Sequence, residues 1–444
     1  MGNSIKKQIF GLYEKDKYTM DLKYKVNDNN LGVYIGKALK KCQSLVFLKL
    51  QILGAQLIEK DAIISSKNEN CNKRIGPKGA KSIGEGLKYC HNLINLNITI
   101  GENNNIGAVG AISLGNGIKY CSNLITLSIT IKQNNNIGRD GATGIGDSFK
   151  FLFHLNSLSI DIQEDFIGSL GTKGLLDSLK NENNIQYLSL FFGQKNNIGS
   201  EGAKEVALVL QASKKLRIFK LFVGRQNKIG VEGAREIGMR IQNCEYLESL
   251  SLFLQNDIQK EGMRFLTLGV QQNKHLSELE FSIQKEKDGG IDSDSQSLYD
   301  FGSNIQNLKQ LRKLKLELGN NYQIGPGGVL GLSIGLKSST SIQSVSIGVR
   351  IDNLIGLEGY IDLGEGLKYC VNLKNLCFSV ECNPQEIQYV ISMVQLLQKC
   401  KNLQNLTIFI LNIKHSQKVQ LLNKIFKIDQ LFNYKLIDNF ALLY

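Results

Sequence analysis

The stretch that most resembles a chemical site is NNNIGAVGAISLGNGIKYCSNL, which runs from Asn103 to Leu124. Glycine-rich loops before helices hold phosphates, and a cysteine thiol can bind a metal or carry redox chemistry. A phosphate-binding loop occurs once for each nucleotide site. The pattern Ile-Gly-x-x-Gly instead begins at Ile75, Ile106, Ile137, Ile167, Ile198, Ile229, Ile324 and Ile355. Such regular recurrence indicates a structural repeat.

The cysteines and histidines form no pattern typical of a metal or catalytic site. Six of the nine cysteines share one register within the repeat: Cys42, Cys90, Cys121, Cys244, Cys370 and Cys400. A buried cysteine acts as a small apolar residue, and no Cys-x-x-Cys pair occurs. The four histidines are scattered along the chain. We therefore expect no metal, no cofactor and no catalytic group, and free thiols in a reducing compartment.

Each repeat combines two hydrophobic periodicities. In NLITLSITI, which ends at Ile131, apolar and polar residues alternate as they do in a half-buried strand. Ala111, Leu114 and Ile118 are spaced three and four apart, as on one face of a helix. Two degenerate units, near Ile258 and Ile291, fill the long gap between copies. A strand and a helix that cannot bury their apolar faces alone predict an α/β solenoid.

This unit resembles the leucine-rich repeats of the ribonuclease-inhibitor-like type. The matching residues are Leu93, Leu96 and Ile98 in the strand, Asn103 to Asn105 in the turn, and Ile106, Gly107, Gly110 and Ala111 at the helix entry. The resemblance covers about residues 29–413. It implies a horseshoe of about 12 units of about 31 residues, with parallel strands on the concave face and helices on the convex face.

The ends of the chain depart from the repeat. Residues 1–28 are interpreted as an N-terminal cap, and within them YTMDLKYKV alternates like a strand. Residues 29–413 form the repeat region, with an irregular insert over 53–73. Residues 414–444 are interpreted as a C-terminal cap with helical character, because a solenoid must cover its last apolar faces.

Three phenylalanines mark a candidate binding surface. Phe191, Phe222 and Phe253 occupy the same outward-facing strand position in consecutive units, 31 residues apart. We expect them side by side on the concave face as an exposed ladder that binds a protein partner. Polar contacts would come from the neighbouring side chains Lys220, Ser189 and Ser251. The alternative is that the rings only pack on one another or under a loop.

Charge and hydropathy limit the classes of partner. The net charge of +13 and the pI near 9.1 suit an acidic protein, whereas lysines dispersed over the chain do not favour nucleic-acid binding. No segment is apolar enough to predict a transmembrane helix. We expect a cytoplasmic, non-enzymatic scaffold for protein binding, with a structural component of a larger intracellular assembly as one alternative.

Two further residues indicate alternative functions, a GTPase-activating role and a lipid anchor. Ran GTPase-activating proteins have the same repeat type and act through an arginine, and in this chain Arg74 follows the irregular insert. That resemblance implies a GTPase activator whose activity depends on Arg74. Gly2, in MGNSIKK, resembles a myristoylation signal that would allow peripheral membrane contact, although Lys6 stands where Ser or Thr is usual.

Overall fold

The computed structural model describes residues 8–9, 18–25, 28–53, 74–181, 184–284, 295–319, 324–350, 353–381, 386–410, 413–429 and 431–437. The chain divides into two compact units, residues 1–228 and 229–444.

The first unit alternates strands and helices from end to end. Its elements are β1 (Thr19–Lys25), α1 (Leu31–Leu39), β2 (Phe47–Leu53), α2 (Gly76–Leu87), β3 (Asn95–Ile100), α3 (Gly107–Ile118), β4 (Thr126–Ile131), α4 (Gly138–Gly146), β5 (Ser157–Ile162), α5 (Gly168–Leu176), β6 (Tyr187–Phe192), α6 (Gly199–Ala212) and β7 (Ile218–Val223). Short 3-10 turns at Phe149–Phe151 and Asp177–Leu179 follow α4 and α5.

The second unit repeats this alternation. Its elements are α7 (Gly230–Ile241), β8 (Ser249–Leu254), α8 (Gln259–Gln271), β9 (Glu278–Ile283), α9 (Ser295–Asn304), β10 (Lys313–Leu318), α10 (Gly325–Lys337), β11 (Ser344–Val349), α11 (Gly356–Lys368), β12 (Asn375–Val380), α12 (Ile387–Leu397), β13 (Asn405–Ile410), α13 (His415–Ile425) and β14 (Asn433–Ile437). The helices α8 and α9 belong to the two degenerate repeats that the sequence predicted.

In each unit the strands pair in parallel and in chain order, so equivalent residues of successive repeats lie side by side. Leu96, Leu127 and Leu158 are register partners on neighbouring strands. All three are buried against the helices, and the alternate strand residues are more exposed. We call the side of the strands opposite the helices the open face. The predicted α/β solenoid class is therefore confirmed.

The chain ends contain further strands. The alternating segment near the N-terminus forms the strand β1, as its pattern predicted, and β1 pairs with β2. Beyond residue 413, α13 is helical as expected, but β14 adds a strand that pairs with β13 and that the sequence did not indicate. The assignment of both ends as caps stays a prediction, and residues 54–73 of the predicted insert lie outside the described residues.

A buried polar side chain occupies the centre of successive loops between strand and helix. Most of these residues are asparagines, and all are 0–1% exposed: Asn104, Asn135, Asp165, Asn196, Asn227, Asn256 and Asn353. We call this set the loop ladder. Buried polar groups are costly unless they are hydrogen-bonded, so each member must be satisfied by its surroundings.

The loop ladder joins each repeat to its neighbours. Asn135 Nδ2 donates to the carbonyl of Lys132 in its own loop (2.7 Å) and to Gly101 of the preceding repeat (2.9 Å). Asn227 does the same with Gly224 and Gly193, both at 2.8 Å. The Asn104 Oδ1 atom accepts from the backbone N–H of Ile75 at 3.3 Å. One side chain thus closes its own turn and links two neighbouring repeats.

The backbone of the same loops explains the asparagines and the glycine. In the first regular loop Asn103, Asn105 and Gly107 have φ of +60°, +47° and +62°. Asparagine and glycine tolerate this left-handed region best. The turn presents the Gly107 N–H to the carbonyl of Asn135 in the next repeat, at 2.9 Å. The Ile-Gly pair is therefore a link between repeats.

Asp165 replaces asparagine at one position of the loop ladder. Its Oδ1 accepts from the N–H of Ile137 at 3.4 Å, but Oδ2 has no hydrogen-bond partner among the described residues. In neighbouring loops the equivalent amide donates to the carbonyl three residues earlier in its own loop and to the matching carbonyl of the preceding repeat, which here belong to Ile162 and Lys132. Burial raises the pKa of the Asp165 carboxyl to about 7, although backbone N–H donors favour the carboxylate.

Helical glycines let neighbouring helices approach closely. A Cβ atom added to Gly115 would overlap the backbone oxygen of Gly144, and one added to Gly117 would overlap that of Gly84. Neither obstacle is the flexible end of a side chain. Only glycine fits these two contacts without moving a helix.

We predict that Asp165→Asn stabilises the chain, and more at pH 8 than at pH 5. The folded-state pKa lies above the ordinary value of 3.8, so the folded chain holds the proton more tightly and loses stability as pH rises from about 4 to about 7. The amide removes this penalty, by about 2–4 kcal/mol at pH 8. Urea denaturation at several pH values measures the difference. The reverse change, Asn196→Asp, should introduce the same pH dependence, and a pH-independent result for both variants would contradict the assignment.

We predict that Gly115→Ala lowers the free energy of unfolding by about 2–4 kcal/mol, because the new methyl group meets backbone rather than open space. Gly327→Ala is the matched control: its Cβ would have no neighbour within 4 Å. There, better helix propensity should stabilise the chain by up to about 1 kcal/mol. Denaturation midpoints of the two variants should move in opposite directions, and equal shifts would exclude a steric cause at Gly115.

Candidate functional site

The strand register brings together part of the predicted aromatic ladder. Phe191 in β6 and Phe222 in β7 are register partners on the open face. Their ring centroids are 4.0 Å apart and the ring planes differ by 3°, so the rings are stacked. Each ring is half-buried. Strand spacing imposes this stack, and the exposed part of the rings is an apolar surface of the open face.

Polar and charged groups border the stacked rings. Ser189 and Lys220 are register partners one step earlier on the same two strands. Lys220 is exposed, with Nζ 6.0 Å from the ring centroid of Tyr187. On the other side of the stack, Asp161 in β5 pairs in register with Phe191. Gln163 Nε2 donates to the Asp161 carboxylate at 3.0 Å. Burial raises the pKa of Asp161.

Phe253 lies in the second unit, at the equivalent position of β8. Lys315 Nζ is 5.7 Å from the ring centroid of Phe253 and also forms an ion pair with Glu280 at 2.6 Å. Ser251 is buried and its hydroxyl donates to Glu280 at 3.2 Å. These four side chains form a connected cation–π and ion-pair group on the open face of the second unit.

Sequence reasoning did not single out several open-face residues. Glu280, Lys315 and Glu317 alternate with buried residues in ELEFSI and KLKLEL, so the strand periodicity was the signal that could have found them. Glu317 is half-buried, and burial raises its pKa despite nearby Lys315 and Arg350. The open face therefore has charged groups beside its aromatic residues.

The thiols of the repeated cysteines lie in the core. Cys90 Sγ donates to the carbonyl of Leu39 in the preceding repeat at 3.7 Å, and Cys121 does the same with Leu87. Burial raises the pKa of Cys42 to about 11 and of Cys121 to about 12. A raised pKa lowers the reactive thiolate fraction at neutral pH. These cysteines act as small packing residues.

The other candidate residues are not brought together. Arg74 is exposed at the entry to α2, and its backbone N–H donates to Asn29 Oδ1 at 3.1 Å. Its role in GTPase activation stays a prediction, which a GTP-hydrolysis assay of Arg74→Ala tests. Gly2 lies outside the described residues. Across the described ranges no three His, Cys, Asp or Glu side chains are placed to share a metal ion.

No model of a known protein family matches the chain, and no curated protein is significantly similar to it in sequence. Within the described residues no helix has both the length and the apolar character needed to cross a lipid bilayer.

We predict that Cys90 resists alkylation in the folded chain. Burial raises the thiol pKa of both Cys90 and Cys377, but Cys90 is fully buried, whereas Cys377 is partly exposed on the open face and can be reached by a reagent. Iodoacetamide followed by peptide mass spectrometry should label Cys377 first, and both residues after denaturation. Equal labelling rates in the folded chain would contradict the packing role of Cys90.

Proposed function

We propose that this chain is a non-enzymatic scaffold that binds another protein on the open face of its strands. The stacked pair Phe191 and Phe222 carries the proposal, because it presents aromatic surface beside exposed Lys220. Aromatic residues contribute a large share of binding energy at protein interfaces. Phe253, with Lys315 and Glu280, supplies a second aromatic group of the same kind.

The form of the surface also supports a binding role. Side chains on paired strands have fixed spacing and lose little conformational freedom when a partner binds, which favours affinity. Mixed charges beside the aromatic rings would give specificity for one partner and one orientation. With a net charge of +13, an acidic partner is the best match.

We also propose a repeat type and a cellular location for this protein. We assign the repeats to the ribonuclease-inhibitor-like leucine-rich type, on the strand, asparagine-turn and Ile-Gly helix-entry pattern. We place the protein in the cytoplasm, where its buried thiols would stay reduced. Membership of a larger intracellular assembly is compatible with this function and would add stable neighbours.

We predict that Phe191→Ser/Phe222→Ser/Phe253→Ser loses the principal partner. The substitution removes the aromatic surface and leaves the buried strand residues in place. An affinity pull-down from native lysate with mass-spectrometric readout, against the unchanged chain, measures the loss.

The matched control is Val109→Ser/Leu170→Ser/Leu330→Ser, which changes three apolar helix residues that are 60%, 54% and 40% exposed. The control should retain the partner, and circular dichroism should show that both variants fold. A partner that remains with the phenylalanine variant and disappears with the control would move the binding site to the helices.

A further inference from the structure

We propose that one edge of the first unit binds an extended, acidic segment of a partner protein, at a site separate from the open face. A groove of about 750 Å³ runs across the loops that lead into the strands of successive repeats. Val46, Ile94 and Ile125 supply its apolar side chains. We call it the edge groove.

The dimensions of the edge groove suit an extended peptide. Its lining residues come from the entries to β1 through β5. Five neighbouring strands span about 19 Å, the length of about six extended residues. The volume lies in the usual range for binding clefts.

The backbone under the edge groove is already hydrogen-bonded. The N–H of Val46 donates to Tyr18, that of Ile94 to Val46 and that of Ile125 to Ile94, at 2.8–2.9 Å. The groove therefore offers side chains rather than a free strand edge. Ile125 is 44% exposed, so its apolar surface remains accessible for contact.

Two asparagines hold the wall of the edge groove in place. Asn92 Nδ2 donates to the carbonyl of Gln43 and Asn123 Nδ2 to that of His91, each at 3.1 Å. Both bonds cross from one repeat to the preceding one. The wall is therefore preorganised, which lowers the entropic cost of binding a flexible segment.

A basic rim runs along the same edge, where α1, α2 and α3 each end five residues before a residue that lines the groove. Lys40 lies over the ring of Tyr89 at 5.8 Å, and Lys119 over those of Tyr120 and Phe151 at 5.4 and 6.0 Å. Lysine also stabilises a helix C-terminus, which accounts for one charge at each helix end but not for the interleaved rings.

Some lysines of the basic rim have no ion-pair partner among the described residues and can therefore contact a ligand. Lys88 and Lys150 are paired with Glu85 and Asp147 on their own helices, each at 2.9 Å. Lys40 and Lys119 form no ion pair within the part of the chain that the structure describes. Lys40 lies close enough to Glu85 to lower the pKa of that carboxyl, so part of its charge is balanced within the protein. Apolar side chains in a groove beside lysines that have no ion-pair partner are complementary to a segment that combines apolar and acidic residues.

A random peptide library displayed on phage, selected on the full-length chain, tests the proposal. Selected peptides are then labelled with fluorescein and titrated by anisotropy against three variants: Ile125→Glu in the groove, Lys119→Glu on the rim and Val109→Glu as the exposed apolar control. We expect peptides enriched in acidic and apolar residues. Ile125→Glu should weaken binding by about tenfold or more, Lys119→Glu by less, and Val109→Glu not at all. Lys119→Glu changes a side chain outside the core, so it keeps the test valid if Ile125→Glu fails to fold.

Three outcomes would overturn the proposal: no selected peptide binds saturably, the selected peptides lack acidic residues, or the peptides bind all variants with equal affinity. Peptides that lose affinity for the phenylalanine triple variant would bind the open face, which would support the proposed function and contradict the edge groove. Sedimentation with phosphatidylcholine vesicles containing phosphatidylserine gives the last comparison. Vesicle binding that Ile125→Glu abolishes, with no peptide selected, would assign this edge to a membrane surface instead.

Discussion

The structure depends on a buried side-chain amide that belongs to two repeats at once. A single strand and helix cannot bury their own apolar faces, so each repeat is stable only in contact with its neighbours. Apolar contact sets no register along the stack, whereas the two hydrogen bonds that Asn135 donates, to Lys132 and to Gly101, do. The left-handed turn residues, the Ile-Gly pair and the parallel strand register all follow from this link.

The same constraint explains which residues are free to vary. The loop ladder, the core leucines and the helical glycines occupy the interior of each unit, and substitutions there act on stability. The alternate strand residues on the open face lie outside this interior, and the strand pairing does not depend on their identity. Phe191 and Phe222 can be aromatic, Asp161 acidic and Ser128 small without changing the strand pairing. The repeat therefore separates the residues that fold the chain from those that can recognise a partner.

Much of the fold could be predicted because the signal repeats. The Ile-Gly spacing located the helix starts, and the alternation in segments such as NLITLSITI located the strands. Asp165 was missed because one carboxyl among amides is visible only when the loop centre is known to be buried. β14 was missed because a lone terminal strand has no repeated pattern around it. The edge groove depends on where each helix ends, which propensity does not determine.

The loop ladder is most directly tested by hydrogen–deuterium exchange on the chain carrying Asn135→Ala. If the amide links repeats, amide exchange should become faster both in residues 132–138 and in residues 101–107 of the preceding repeat, since the Gly101 carbonyl loses the donor that comes from the next repeat and keeps only Asn104 of its own loop. Faster exchange confined to residues 132–138 would instead show that asparagine only closes its own turn. That result would contradict a central role for the loop ladder in joining the repeats.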